Sequence, residues 1–211
     1  MKLLYQTHSP YARKVLVMAH EAGLADRLDV IHHETSPTVR NDAVFRQNPL
    51  GKVPVLILDD GFALFDSIVI CDYLDGLHQR ERFLPQHGRA RLVSLRRQAL
   101  AQGMCDAGIA ARYETARRPE ALRYPAFRDG QLDKLIGAYD FLEREGGFTP
   151  HDAEAEHVDL GQIALATTLD WLAFRRLPDF EHGRPRLSAW YRAFLQRPSM
   201  QLTEFVGETV D

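Results

Sequence analysis

Three short polar segments in the first third of the chain hold residue types that could act together: Ser9-Pro10-Tyr11, Lys52-Val53-Pro54 and Asp66-Ser67. Ser9 stands between an apolar run at Lys2–Tyr5 and the helically spaced Val15, Leu16, Met18, Ala19 and Ala22. Its hydroxyl therefore falls at a helix start, beside unpaired backbone N–H groups and the positive end of the helix dipole. Such a place suits an anion. A plain N-cap would put the same residue there, and no G-x-S-x-G motif marks Ser9 as a nucleophile. Beyond capping, it can donate a hydrogen bond to an anion such as a thiolate.

Val53-Pro54 opens a strand in the middle of this region, where proline removes one ladder hydrogen bond and so belongs at an edge or a bend. A cis bond there would leave the N–H and C=O of Val53 free to pair with an extended peptide ligand. Lys52 is one of four lysines among 26 basic residues, and reads either as a solvated charge or as a contact for a ligand carboxylate. Asp66-Ser67 opens a further helix. The pair can be a simple cap, yet the hydroxyl and N–H of Ser67 also suit a carboxylate at a helix N-terminus, while Asp66 suits an ammonium. A carboxylate and an ammonium side by side describe the end of an α-amino acid.

The elements that must position these groups alternate between two periods over residues 1–79. A strand at Lys2–Tyr5 leads into a helix with Pro10 in its first turn and Gly23 as its stop. A second strand spans Leu28–His32, and Asp42–Arg46 forms a helical turn. Val53–Leu58, the turn Asp59-Asp60-Gly61 and Phe62–Leu64 make a hairpin, followed by a helix from Asp66 through Leu74. The order β-α-β, connector, β-β-α predicts an α/β domain with a mixed four-stranded sheet. From residue 88 onward the strand signals stop. Gly88–Arg112, Pro125–Glu145, Asp159–Arg175 and Arg184–Gln196 carry helical periodicity, broken by Arg118-Pro119, Gly146-Gly147-Phe148-Thr149-Pro150 and Leu177-Pro178. Residues 88–211 thus read as an all-α domain, joined to the first by a linker over His78–Gln86.

With 211 residues, 45% hydrophobic and 26% charged, the chain can build a core without disulfide or metal staples. Its longest apolar run, Val53–Leu58, falls far short of the ~20 residues of a membrane span. Met1–Gln6 breaks too early for a secretory signal, so no membrane partner and a cytoplasmic location are expected. Cys71 and Cys105 form no CxxC pair, which excludes a dithiol redox site and a zinc site of ordinary spacing. Both read as buried small hydrophobes, and no metal is expected. Charge is uneven: −3 over residues 1–79, +7 over 80–128 and −7 over 129–211. The basic segment lacks interleaved aromatics and is balanced by an acidic one, which speaks against a nucleic-acid partner.

Ser9-Pro10-Tyr11-Ala12-Arg13-Lys14-Val15, Asn48-Pro49-Leu50-Gly51-Lys52-Val53-Pro54-Val55-Leu56 and Leu64-Phe65-Asp66-Ser67-Ile68-Val69-Ile70-Cys71-Asp72-Tyr73-Leu74 together resemble the soluble glutathione transferases. His157 through Ala166 and Pro185 through Ser199 are also similar to that family, so the likeness spans nearly the whole chain. The resemblance implies a thioredoxin-like first domain over residues 1–79 and an all-α second domain over 88–211. It also implies a cytosolic homodimer with glutathione as co-substrate, no permanently bound cofactor, and a small electrophile as second partner. Carried over residue by residue, Ser9 would stabilise the glutathione thiolate, as in serine-type bacterial members. Val53, before a cis Pro54, would pair with the cysteinyl backbone; Asp66 and Ser67 would hold the γ-glutamyl end; and Lys52 would approach a carboxylate. Two positions depart from the family pattern. Asp159-Leu160-Gly161-Gln162 replaces the usual Ser/Thr-x-x-Asp opening of the central helix and keeps a capping box, and Asp66 stands where Glu is commoner.

A free thiol near pKa ~8.5 is only a few per cent thiolate at neutral pH, and lowering it by two units requires about 2.7 kcal/mol of preference for the anion. A hydroxyl bond to a charged group contributes on the order of 1.5–3 kcal/mol and a helix dipole up to ~2 kcal/mol. Together they suffice. Thr7 and then Tyr11 rank behind Ser9 as donors. The second substrate is expected between the domains, against Tyr11 and the helix beginning near Gly88. There Arg96 and Arg112, with Arg89 and Arg97, would make the cleft mouth electropositive, unless they are simply solvated or meet another subunit. The leading expectation is transfer of glutathione sulfur to the electrophile. A non-catalytic binding or interaction protein of the same fold is the alternative. Thiol-disulfide exchange is disfavoured, because Ser9 and Ala12 stand where a cysteine-type member would carry its reactive and resolving thiols.

Overall fold

The computed structural model describes residues 1–146 and 148–207. In chain order the first half comprises β1 (Lys2–Tyr5), α1 (Pro10–Glu21), β2 (Asp29–His32), α2 (Asp42–Phe45), β3 (Val55–Ile57), β4 (Ala63–Leu64) and α3 (Ser67–Asp75). The sheet order is β2-β1-β3-β4, with β2 parallel to β1, β3 antiparallel to β1 and β4 antiparallel to β3. This is the thioredoxin-like arrangement expected. The hairpin strands are shorter than the apolar run Val53–Leu58 suggested. Pro54 has no N–H to give to a ladder, and β1 offers β3 only the three register partners Lys2, Leu3 and Leu4.

One face of the sheet lies under α1 and α3, where Leu3, Val15, Met18, Leu56, Ile70 and Leu74 join the main core. Leu4, Val44, Val53 and Val55 form a smaller cluster with α2 on the other face. Each sheet residue chooses its side by the two-residue alternation of a strand.

The second half is helical: α4 (Gly88–Arg112), α5 (Pro125–Glu145), α6 (Pro150–Glu154), α7 (Leu160–Phe174), α8 (Pro185–Phe194) and α9 (Pro198–Gln201). A π-helical turn at Tyr113–Arg117 and a 3-10 turn at Glu120–Leu122 connect α4 to α5. Of the break read at 146–150, Gly147 lies outside the described residues. Helices α6 and α9, of 5 and 4 residues, did not emerge from periodicity, being barely one turn each. Helix α7 is the centre of the half, buried continuously from Leu160 through Leu169 and packed against α4 and α1. Its capping box forms as read: Gln162 N–H donates to Asp159 at 3.0 Å and Asp159 N–H to Gln162 at 2.9 Å. Ser94 of α4 reinforces it, donating to Asp159 at 2.9 Å and accepting from Gly161 N–H at 3.0 Å.

Two polar clusters bind the halves together. The stretch read as a linker is pinned: the buried Asp75 carboxylate accepts from the N–H groups of Phe83 (2.9 Å) and Leu84 (3.1 Å) and pairs with His78. Arg13 of α1, 1% exposed, pairs with Asp170 of α7 and donates to the C=O of Met200 at 3.2 Å. It lies over the ring of Phe205, and Tyr191 donates to the same Asp170 at 2.7 Å. Among the described residues no helix is long and apolar enough to cross a membrane.

Candidate functional site

Sheet topology brings the three polar segments to one edge. Helix α1 starts beyond the C-terminal end of β1, where Leu4 faces Val55, and β3 begins there directly after Pro54. Strand β4 runs back to the same edge, with Leu64 opposite Leu56, so Asp66 and Ser67 follow two and three residues beyond it. Ser9, Val53-Pro54 and Asp66-Ser67 therefore share the edge at which two helix N-termini arrive.

Ser9 is the N-cap of α1, its Oγ accepting from Ala12 N–H at 3.2 Å. That contact uses a lone pair and leaves the O–H proton available. The other hydroxyls of this stretch are engaged. Tyr5 donates to the C=O of Thr7 at 3.0 Å, Thr7 Oγ1 meets His32 Nδ1 at 3.1 Å, and Tyr11 donates to Asp106 of α4. Burial first, then the Cys105 thiol, the hydrogen bond and charge of Asp106 and the charge of Asp66, push the Tyr11 phenol above the usual tyrosine range. It is a protonated donor at neutral pH.

The Val53–Pro54 bond is cis. Neither the N–H nor the C=O of Val53 has a hydrogen-bond partner among the described residues. The loop before it is held by Asn48, 3% exposed, which donates to the C=O of Lys52 at 2.9 Å and accepts from Leu50 N–H at 3.0 Å. Gly51 adopts φ +63°, and a Cβ there would fall 2.2 Å from the Phe45 ring, so the turn admits only glycine. The Lys52 side chain is exposed. Asn48 and Gly51 carried no role in the sequence reading, although Asn-Pro and Gly within four residues are turn chemistry.

At α3, Asp66 is the N-cap, accepting from Ile68 N–H at 2.9 Å through one oxygen. Ser67 is 1% exposed and its Oγ is buried without a partner. A buried hydroxyl with nothing to bond is costly unless something else supplies the bond, and this one belongs to the residue that follows the exposed Asp66.

Two of the arginines expected at the cleft mouth, Arg96 and Arg97, turn to acidic residues of the helical half. Arg96 turns to Glu145 of α5 and lies over Phe141. Arg97 lies over Phe148 and faces Glu145 and Asp159. The basic segment answers the acidic one within the helical half, which is where opposite charges of long side chains find each other at least desolvation cost. Arg112 closes α4, six residues beyond Asp106. What stands across from Tyr11 on α4 is Asp106, which carried no role in the sequence reading; an isolated acid on a helix gives no signal of the side it faces. Cys71 and Cys105 are free and buried, burial pushing both thiols up to about 12.

The models described as glutathione S-transferase, N-terminal domain, and glutathione S-transferase, C-terminal domain, match residues 8–77 and 115–193. The uncharacterized GST-like protein YibF of Escherichia coli is 32% identical over 205 residues, covering 97% of this chain and 98% of its own. A glutathione transferase family member from Pseudomonas fluorescens Pf-5, solved with bound glutathione, superposes with TM-score 0.90 at 40% identity, covering 96% of this chain and 98% of its own. A glutathione S-transferase from Methylobacillus flagellatus, also with glutathione bound, gives TM-score 0.81 at 36% identity over 97% and 99% of the two chains.

Proposed function

The chain belongs to the glutathione S-transferase family, and from that premise we propose that it binds glutathione at the sheet edge and transfers the sulfur to a small electrophile, as a serine-type enzyme. One observation carries the reading. A hydroxyl with an uncommitted proton at the start of α1 (Ser9) shares an edge with a buried, unpartnered hydroxyl and an adjacent exposed carboxylate at the start of α3 (Ser67, Asp66). The first suits a thiolate, the second an α-amino acid terminus.

In this reading the γ-glutamyl carboxylate accepts from Ser67 Oγ and the N–H groups opening α3, and its ammonium meets the free oxygen of Asp66. The cysteinyl backbone pairs with Val53, and Lys52 approaches a carboxylate. Ser9 donates to the sulfur, which the start of α1 favours as an anion. The proton of the thiol goes to solvent; the thiolate pair then forms the bond to the electrophile as a leaving group departs with its bonding pair or, in an addition, as the electrophile's π pair takes up a proton from solvent. Residues 1–79 hold glutathione, and residues 88–211 supply the rest of the second-substrate pocket. The reading includes a cytoplasmic homodimer, for which Phe62, Val69 and Leu92 are large apolar side chains left on the surface.

Calorimetric titration tests the binding half. Wild-type protein is expected to bind glutathione, and Ser67→Ala to weaken it about 10- to 150-fold, the worth of a hydrogen bond to a charged group. Absence of binding would overturn the proposal. Binding with no turnover across a panel of electrophiles would instead favour a non-catalytic member of the family.

A further inference from the structure

We infer that the Tyr11–Asp106 pair selects the charge of the second substrate, turning its cleft toward neutral or cationic electrophiles and against those carrying a carboxylate or sulfonate. This inference rests on the reading above for where the electrophile binds. Tyr11 is two residues beyond Ser9, and its phenol donates to Oδ1 of Asp106, which reaches across from α4. The phenol is part-buried and held protonated, so it is a permanent donor, and it uses one carboxylate oxygen. The second oxygen of Asp106 has no hydrogen-bond or ion-pair partner among the described residues, and the residue is exposed.

The charges around this pair leave the wall acidic. Asp66 acts on the same phenol from α3. Cys105, beside Asp106 on α4, stays a neutral thiol because burial pushes it up to about 12. Lys14, one turn along α1, lines a small cavity with Tyr11 and Cys105 but is only 4% exposed. Arg96 and Arg97 are turned to Glu145 and Asp159. Arg112 lies six residues past Asp106, about 240° around the helix, on another side of α4. A substrate anion entering beside Tyr11 therefore meets an unshared carboxylate oxygen at the surface, while the Lys14 cation lies buried beneath it.

The test compares matched pairs differing only in charge. Two naphthalene fluorescent probes of similar size, one bearing a sulfonate and one neutral, report binding, and two aromatic electrophiles, with and without a carboxylate, report kcat/KM. Asp106→Asn is expected to raise the anionic-to-neutral ratio about five- to tenfold, the effect of one charge a few ångströms away in a half-exposed cleft. Asp106→Glu should hold the ratio near wild type. Tyr11→Phe, which leaves the carboxylate unshared, should lower it about twofold. The probe pair reads the cleft whether or not the protein turns over, and glutathione affinity, measured separately, reads the functional proposal. A ratio that stays constant or falls in Asp106→Asn overturns the inference.

Discussion

Ser9→Gly is expected to lower kcat/KM for glutathione conjugation roughly 10- to 150-fold while changing glutathione affinity by less than about threefold. The range is the 1.5–3 kcal/mol that a hydroxyl contributes to a charged acceptor, converted to rate. Glycine is the informative replacement because Ser9 also caps α1 through Ala12 N–H. Alanine would remove the cap along with the donor, at about 1 kcal/mol, whereas glycine costs the helix only a few tenths. Ser9→Thr keeps both functions and should retain most of the activity. Neither neighbour can take over, since Thr7 is engaged with His32 and the Tyr11 proton is committed to Asp106. Steady-state kinetics with calorimetry separates the two effects, and unchanged turnover in Ser9→Gly would remove Ser9 from the mechanism.

The largest effect on stability is expected from Asp170→Ala, a loss of about 3–5 kcal/mol by urea denaturation. Arg13 is 1% exposed, and its guanidinium is answered by Asp170, the Met200 carbonyl and Thr203. Deleting the carboxylate strands a buried cation and also frees the Tyr191 hydroxyl. Against a typical total of ~5–15 kcal/mol this is a large fraction. The double replacement Arg13→Met with Asp170→Leu should recover much of the loss, because an apolar pair of similar volume need not be desolvated as ions. A single variant as stable as wild type would show that the pair is not what ties α1 to α7.

That clamp was invisible in the sequence. Arg13 reads as one more basic residue on an amphipathic helix, and its partner lies 157 positions away. The site edge was legible for the opposite reason: Ser9, Pro54 and Ser67 sit where a strand or helix begins, and local chemistry alone restricts what such positions accept. The long helices α4 and α5 were readable to their ends because 25 and 21 residues repeat the period many times. One-turn helices cannot do so, though Thr149-Pro150 ahead of Asp152 and Pro198 were available start signals. Direction was the other limit. The arginines of α4 were visible as charge, but only packing decides that Arg96 faces Glu145 while Asp106 faces Tyr11.

Ultraviolet titration of glutathione bound to the wild-type protein addresses the thiolate most directly, since the ionised sulfur absorbs where the thiol does not. Held by Ser9 at the start of α1, the bound thiol is expected to ionise about two units below the ~8.5 of a free thiol, and to move back toward that value in Ser9→Gly. A bound thiol that titrates like glutathione in water would contradict the account.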